Sequence, residues 1–481
     1  MIDPVREARR LVDSLGKIGY LVCLGLGGGY AVEAFLRKEH ASGLLVIEKD
    51  HSTLRSFLEN IDLASVLSDM RVAVSVGLQA IKGMLQSTYM PAVSGDLASL
   101  AVRPWCALEK DFFDAAAAEL QKGAEEARAD YSVQAAFGKR WFANMLANLP
   151  ALEKVPERQF PVNWPPDTLA HVTAAGPSLD LSLPALSARA DAGIIIASDT
   201  SLPALFRTGI QPDIVMSLDC QVYSYHHFMA GAPRHAALFF DLASPAFLAR
   251  RGGMQTRFFA SAHPFARFIA STWRAFPFVD TTGGNVTHAA VSLAKLLGMS
   301  VRLHGADFSY PGAKPYARGT YFYDRFMSQE WRCAPLQSSL ASFVFRSPGL
   351  TAVSGSTLGI TYTTPVLQAY KTRLESLIAN PSDPARRDPL VVPLARCSWK
   401  SFLGGYREAV RALPSLSEPL GGCLAALNPA QRGLWTTLLP ISARFLRETG
   451  GVESRAACLE MSRSWALNRA ERTLGSEHHG L

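Results

Sequence analysis

The feature that most constrains the fold is an alternation of short apolar segments with helical stretches, which occurs twice along the chain. The first series has apolar segments at residues 20–24, 43–50 and 70–77. The second series consists of LAHVTAA, AGIIIAS, PDIVMSLD, AALFFDLA, TRFFASA, FPFVD and SVRLHGAD, with candidate helices at 181–190, 200–208 and 286–298. Strands separated by helices predict a parallel sheet with helices on both faces.

Two other segments divide the chain. A charged, Ala-rich stretch at 109–149 predicts a long helix. The segment VPERQFPVNWPPDT (155–168) contains four prolines, which disfavour both a helix and a central strand. Beyond about residue 361 the pattern is mainly helical. The sequence therefore predicts an α/β protein with two successive Rossmann-like open parallel-sheet domains, at 1–150 and 165–330, followed by a mainly helical region at 331–481.

Composition excludes several classes of protein. The 481 residues are 48% hydrophobic and 19% charged, as in a folded chain with a sizeable core. The seven cysteines contain no C-x-x-C pair, and no apolar run is long enough for a secretory signal or a bilayer span. The net charge of +7 includes no block of consecutive basic residues, so nucleic-acid binding is unsupported. We expect a cytoplasmic protein without membrane insertion.

Polar and glycine residues directly follow the strands of the second series. In open α/β sheets, ligands bind outside the carboxyl ends of the strands, so these residues predict a ligand cleft. The candidates for nucleotide or phosphate binding are Gly176, Pro177, Ser178, Asp199, Thr200, Asp219, Gly283, Gly284, Asn285 and Thr287. The candidates for catalysis are His288 and Asp307.

The loop at Gly176, Pro177 and Ser178 has two interpretations. Gly176 permits close approach of a ligand to the backbone, and the backbone N–H groups at the following helix start favour an anion such as phosphate. Alternatively, Ser178 only caps the helix that follows.

The segment GGNVTHAAVSLAKLLG (283–298) predicts a helix with a buried stripe, capped by Asn285. His288 falls in its first turn, where it is either a general base or a packing residue. Asp219 and Asp307 are suited to orient a sugar, take a proton or help bind a divalent ion, or else they cap turns. The sequence leaves the need for a metal unknown.

A long predicted loop downstream carries Lys314 and Arg318, which are either partners for a diphosphate or solvated side chains. Three motifs are absent: the P-loop, H-E-x-x-H and G-x-S-x-G. A D-x-D motif is absent as well.

Four segments in order resemble the motility-associated factor (Maf) glycosyltransferases, which share a 6-hydroxymethylpterin diphosphokinase-like (MptE-like) central domain. They are AAGPSLD, ASDTSLPALFRTGIQPDIVMSLD, GGNVTHAAVSLAKLLG and LHGADFSY. The N-terminal segment CLGLGGGYAVEAFL resembles the N-terminal domain of the same family. Two positions differ from the usual family pattern, Ala174 and Asn285.

The resemblance implies a bacterial enzyme that transfers a nonulosonic acid, of the pseudaminic or legionaminic type, from a CMP-activated donor to Ser or Thr of flagellin. It implies that Gly176, Pro177 and Ser178 contact the nucleotide phosphate, and that the 283–288 loop and Asp307 close the site. Flagellin and the CMP-sugar are thus the expected partner and substrate.

Three alternatives stay open. The first is a diphosphokinase that uses ATP and Mg²⁺ on a pterin alcohol. The second is a flagellin-binding accessory protein without transfer activity. The third concerns Gly25, Gly27 and Gly29 with Glu48, which resemble an S-adenosylmethionine-binding core, although a scaffold or oligomerisation domain is favoured there.

Overall fold

The computed structural model describes residues 3–155, 164–165, 167–189, 191–231, 233, 235–252, 255–356, 359–379 and 397–475. The chain divides into two compact units, Met1–Lys139 with Leu403–Leu481, and Arg140–Phe402. The predicted boundaries at 150, 165 and 330 stay a prediction, because compactness does not measure independent folding. Most of the proline-rich segment at 155–168 lies outside the described residues.

The first unit contains a four-stranded parallel sheet with the order β3-β2-β1-β4. Its strands are β1 (Tyr20–Leu24), β2 (Gly43–Glu48), β3 (Val72–Val76) and β4 (Leu97–Ala101). Strands β1 and β2 are buried along their whole length, as their continuous apolar sequences YLVCL and GLLVIE require between two helical layers. Three of the four strands match the prediction, and β4 is additional.

Eight helices accompany these strands in chain order. They are α1 (Pro4–Ser14), α2 (Tyr30–Leu36), α3 (His51–Asn60), α4 (Ala64–Leu67), α5 (Leu78–Thr88), α6 (Pro91–Ser94), α7 (Arg103–Leu108) and α8 (Lys110–Lys154). Asp50 caps α3 by accepting a hydrogen bond from the Thr53 N–H. The long helix predicted from the Ala-rich stretch is confirmed as α8.

The second unit contains a six-stranded parallel sheet with the order β10-β5-β6-β7-β8-β9. Its strands are β5 (Leu169–Thr173), β6 (Ile194–Ser198), β7 (Ile214–Ser217), β8 (Ala237–Asp241), β9 (Thr256–Phe259) and β10 (Ser300–His304). The predicted strand at FPFVD is wrong. An isolated bridge joins Phe278 to Ala260, through hydrogen bonds from the Ala260 N–H to the Pro277 carbonyl at 2.9 Å and from the Val279 N–H to the Ala260 carbonyl at 3.0 Å.

The helices of the second unit surround this sheet. They are α9 (Leu179–Ser187), α10 (Leu202–Arg207), α11 (Ser224–His227), α12 (Ala246–Gly252), α13 (Pro264–Thr272), α14 (Val286–Leu296), α15 (Tyr321–Met327), α16 (Leu336–Phe345) and α17 (Pro365–Ala379). A 3-10 turn at Asp199–Ser201 precedes α10. The buried stripe predicted on α14 is confirmed, since Ala289, Ala290 and Leu293 join the core beneath the sheet.

A small antiparallel sheet has the order β11-β13-β12 and was not predicted. It consists of β11 (Tyr310–Pro311), β12 (Thr351–Ser356) and β13 (Gly359–Thr363). The chain then returns to the first unit through α18 (Trp399–Arg411), α19 (Leu420–Ala426), α20 (Pro429–Glu448) and α21 (Arg455–Gly475). The fold class is therefore confirmed: two parallel α/β sheets and a mainly helical C-terminal region. None of the helices described is both long enough and apolar enough to cross a membrane.

Candidate functional site

The strand order of the six-stranded sheet reverses between β5 and β10. From β5 the chain moves outward through β6, β7, β8 and β9, and it then crosses back to place β10 on the other side of β5. The loops that leave β5 and β10 at their carboxyl ends, Gly176–Ser178 and Gly305–Asp307, meet at this reversal, and we refer to the place where they meet as the β5/β10 crevice. This is the position at which open α/β sheets bind ligands.

The loop after β5 is held by the loop after β10. The Gly176 N–H donates to the Gly305 carbonyl at 2.8 Å, and the Ser178 N–H donates to the Asp307 carboxylate at 3.0 Å. A Cβ on Gly176 would lie 2.2 Å from Asp307 Oδ2, so a side chain at this position would displace the carboxylate. The structure thus brings together Gly176, Ser178 and Asp307, as the sequence predicted.

This geometry reduces the number of backbone N–H groups that the loop can offer to a phosphate. The N–H of Ser178 does receive an anion, but that anion is the protein's own Asp307 carboxylate. Pro177 has no N–H to offer. The Ser178 hydroxyl makes no capping hydrogen bond on α9, contrary to the capping alternative. An incoming phosphate would therefore meet the Ser178 hydroxyl and compete with Asp307 for the backbone.

Two carboxylates follow β6 and β7. Asp199 is 1% exposed and accepts hydrogen bonds from the Ser217 hydroxyl at 2.6 Å and the Thr200 hydroxyl at 3.1 Å. Asp219 accepts from the Gln221 N–H at 2.9 Å in a turn, and burial, together with the charge of Asp199, raises the pKa of its carboxyl. Among the described residues, no group of three His, Cys, Asp or Glu side chains is arranged to hold a metal ion.

The turn before α14 is built around His288. Asn285 caps the helix by accepting from the His288 N–H at 2.9 Å, as predicted. The His288 ring is buried, and its Nδ1 lies 3.2 Å from the Asp280 carbonyl. Because a carbonyl only accepts, Nδ1 donates to it, and in the neutral imidazole the lone pair is then on Nε2.

The same ring also supports the glycine turn above it. A Cβ on Gly283 would lie 2.1 Å from His288 Cγ, so Gly283 permits the ring to pack under the turn. Gly284 has φ of +73°, a conformation that glycine adopts without strain, and it is exposed. Thr287 is buried in the first turn of α14. His288 thus has a packing role, and its role as a base stays a prediction.

Two residues of α17 reach this turn and were missed by sequence reasoning. A Cβ on Gly284 would lie 2.9 Å from Tyr370 Cε1, and Arg373 Nη1 donates to the Thr282 carbonyl at 3.2 Å. Nothing in the local sequence marks either residue, because they come from a helix more than 80 positions downstream. The packing of α17 on α14 is what brings them there.

The glycine-rich turn of the first unit has different surroundings. A Cβ on Gly25 would lie 2.7 Å from Trp105 Cδ1, and one on Gly29 would lie 2.5 Å from Leu63 Cδ2. Glu48 is fully buried and accepts hydrogen bonds from the Leu26 N–H at 2.5 Å and from Trp105 Nε1 at 3.2 Å. Burial raises the pKa of Glu48, although these two donors oppose that rise. The chain's own side chains thus occupy this turn.

Comparisons with known proteins agree with this architecture. Residues 143–313 match the family model described as 6-hydroxymethylpterin diphosphokinase MptE-like. An uncharacterized protein of Treponema pallidum (strain Nichols) is 31% identical over 214 residues, which are 42% of this chain and 74% of that protein. This chain belongs to the same family as that protein, and it carries an MptE-like domain.

Further similarities extend the comparison. A second uncharacterized Treponema pallidum protein is 33% identical over 141 residues, which are 28% of this chain and 64% of that protein. The solved structure of the Maf glycosyltransferase from Magnetospirillum magneticum AMB-1 matches with a TM-score of 0.54 at 16% identity, covering 98% of this chain and 83% of that one. The resemblance to the Maf proteins and their MptE-like domain is confirmed, and the chain has the Maf fold.

Proposed function

We propose that this protein is a cytoplasmic glycosyltransferase that moves a nonulosonic acid from a CMP-activated donor to Ser or Thr of flagellin. The observation that carries the proposal is the contact between the loops that follow β5 and β10. There the Gly176–Ser178 loop, with its Ser178 N–H on the Asp307 carboxylate, lies where the strand order reverses. The Maf fold, followed over nearly the whole chain, supports a transferase of this type.

The proposed chemistry is one substitution at the anomeric carbon. The acceptor hydroxyl forms a new C–O bond, and the bond between the anomeric carbon and the phosphate oxygen breaks with its electron pair, releasing CMP. The proton of the hydroxyl goes to a base, for which Nε2 of His288 and the Asp307 carboxylate are the candidates. The Ser178 hydroxyl and the 283–287 turn contact the departing phosphate and stabilise its charge.

The test is the intact mass of unmodified flagellin incubated with the purified protein and a CMP-activated nonulosonic acid. We expect the wild type to add the mass of the sugar residue, and Ser178→Ala and His288→Ala to abolish the addition while keeping the native circular dichroism spectrum. The matched control is Ser187→Ala, at the exposed end of α9, which should transfer at the wild-type rate. Unchanged turnover in both site variants would reject the assignment.

A diphosphokinase is the second candidate. It is favoured by the description of the matched family model and by the neighbouring carboxylates Asp199 and Asp219, which would hold Mg²⁺ together with the phosphates of ATP. Conversion of 6-hydroxymethylpterin that requires ATP and Mg²⁺ would establish this activity. Binding of flagellin without transfer of sugar or diphosphate would instead support an accessory protein.

A further inference from the structure

An open groove of about 440 Å³ lies between α9 and α10 in the second unit. Its volume is within the range of roughly 300–1,000 Å³ that small-molecule sites occupy. The residues that line it are Asp180, Leu183, Ala204, Arg207, Thr208, Lys314, Arg318 and Gly319. Apart from Asp180, none of these positions belongs to the β5/β10 crevice or lies within two residues of it.

Fixed backbone forms the outer wall of the groove. The Ala317 N–H donates to the Ala175 carbonyl at 2.8 Å, and the Arg318 N–H donates to the Asp180 carboxylate at 3.0 Å. Gly319 has φ of +86°, and a Cβ there would lie 2.8 Å from Arg207 Cδ. The absence of a side chain at Gly319 thus lets this segment sit directly against α10. The wall is hydrogen-bonded to the loop after β5 and to α9, and it packs against α10.

The side chains on this fixed wall are cationic and accessible. Lys314 and Arg318 are exposed, and neither forms a salt bridge within the described part of the chain. Arg207 pairs with Asp324 at 2.6 Å, but both partners are about half exposed, so solvent weakens this ion pair and Arg207 can turn to another anion.

The charges in and beside the groove are unbalanced. Three cations line the groove together with one carboxylate, Asp180, while Asp324 lies beside the groove and the charge of Asp307 also acts on Asp180. Asp180 already accepts from the Arg318 backbone, and burial raises the pKa of its carboxyl despite the two nearby cations. An anion entering the groove would therefore gain more from Lys314, Arg318 and Arg207 than it would lose to Asp180.

We propose that this groove binds an anionic group of a small molecule, a phosphoryl or a carboxylate group, with Lys314 and Arg318 as its direct partners. Arg207 turns from Asp324 toward the ligand, and its guanidinium offers two parallel donors of the kind that phosphate and carboxylate both accept. Leu183 and Ala204 form an apolar wall for the uncharged part of the ligand. The inference does not depend on the reaction proposed above.

The test is calorimetric titration of the full chain at low salt with two probes, inorganic pyrophosphate and succinate. Binding of pyrophosphate alone identifies a phosphoryl site, binding of succinate alone identifies a carboxylate site, and binding of both identifies a general anion site. Each of these results supports the proposal if the double variant Lys314→Gln/Arg318→Gln weakens binding at least about tenfold.

The matched control is Arg346→Gln, which removes one positive charge from an exposed position in the same unit outside the groove. It should bind as the wild type does. The proposal is overturned if neither probe binds the wild-type protein, or if the double variant, shown to be folded by circular dichroism, binds as tightly as the wild type. Because no sugar transfer is measured, failure here is distinct from failure of the transferase assignment.

Discussion

Both parallel sheets place a glycine-containing turn after their first strand in chain order, β1 or β5, where the strand order reverses, yet the two turns have different neighbours. In the first unit helix α7, which follows β4, places Trp105 against Gly25. In the second unit the loop after β10 delivers the Asp307 carboxylate against Gly176. A glycine permits close approach in both places. The residue that follows the neighbouring strand, Trp105 after β4 or Asp307 after β10, determines whether the glycine turn packs in an apolar core or against a polar group.

Among the variants that test this comparison, we expect Trp105→Ala to cause the largest loss of stability. The ring is half-buried and donates to a fully buried carboxylate, so its removal leaves both a cavity and a weakened hydrogen bond network. We expect the free energy of unfolding to fall by about 3 kcal/mol. Urea denaturation measures this change.

The control for this prediction is Trp331→Ala, the same substitution at a side chain that is 63% exposed. Its free energy of unfolding should change by less than about 0.5 kcal/mol. Equal losses in the two variants would contradict the conclusion that Trp105 forms part of the core of the first unit.

The next prediction concerns the pH dependence of stability. Each sheet has a buried acid at the end of a strand, Glu48 in β2 and Asp241 in β8. Burial raises the pKa of both Glu48 and Asp241, and it raises the pKa of Asp241 to about 6 from 3.8 despite the hydrogen bond from the Ala243 N–H. The folded state therefore binds a proton more tightly than the unfolded chain, and stability falls as the pH rises from about 3.8 to about 6. We expect Asp241→Asn to increase the free energy of unfolding at neutral pH by at most about 3 kcal/mol.

This gain should disappear below the lower end of that pH window, where the wild-type carboxyl is protonated in both states. The amide oxygen of Asn can still accept from the Ala243 N–H, which donates to Asp241 at 2.7 Å. Urea denaturation across the pH range measures the difference. Glu471→Gln, the corresponding change on an exposed helix, serves as the control. A gain that is independent of pH would contradict this account.

A smaller effect on stability is expected from Gly176→Ala. The added Cβ would meet both Asp307 and the Gly305 carbonyl, so the two loops must separate, at a cost of about 2 kcal/mol in unfolding free energy. Transfer activity, if this is the site, should be lost at the same time. Gly83→Ala in α5, where a Cβ meets open space, should be neutral or stabilising. Full activity in Gly176→Ala would show that the crevice does not need this contact.

The buried strands of both parallel sheets were predicted from the sequence, and so were the partly exposed β3 and β10, which contain valine. Segments such as IIIAS and YLVCL are continuous apolar runs, which parallel strands covered on both faces require. Strand β4, LASLA, was missed because it is partly exposed and contains no β-branched residue. FPFVD shows the opposite error, since this apolar run pairs with Ala260 through one bridge only, and Pro277 has no N–H with which to extend the pairing.

The contacts of the candidate site could be predicted from the sequence where they follow from the order of the strands, and not where they depend on side-chain packing. That Gly176 and Asp307 meet follows from the rule that carboxyl ends of parallel strands share an edge. The Ser178 N–H donates to Asp307 and not to a ligand. This hydrogen bond depends on side-chain geometry that the local sequence does not encode. The same holds for Trp105 against Gly25 and for Tyr370 against Gly284, which are long-range packing contacts.

The most direct test of the central claim is a crystal structure of the protein soaked with CMP. The account predicts that the nucleotide phosphate lies at the carboxyl ends of β5 and β10, against the Ser178 hydroxyl and the turn that precedes α14. Density for CMP beside Gly25 and Trp105 in the first unit, with the β5/β10 crevice empty, would contradict it.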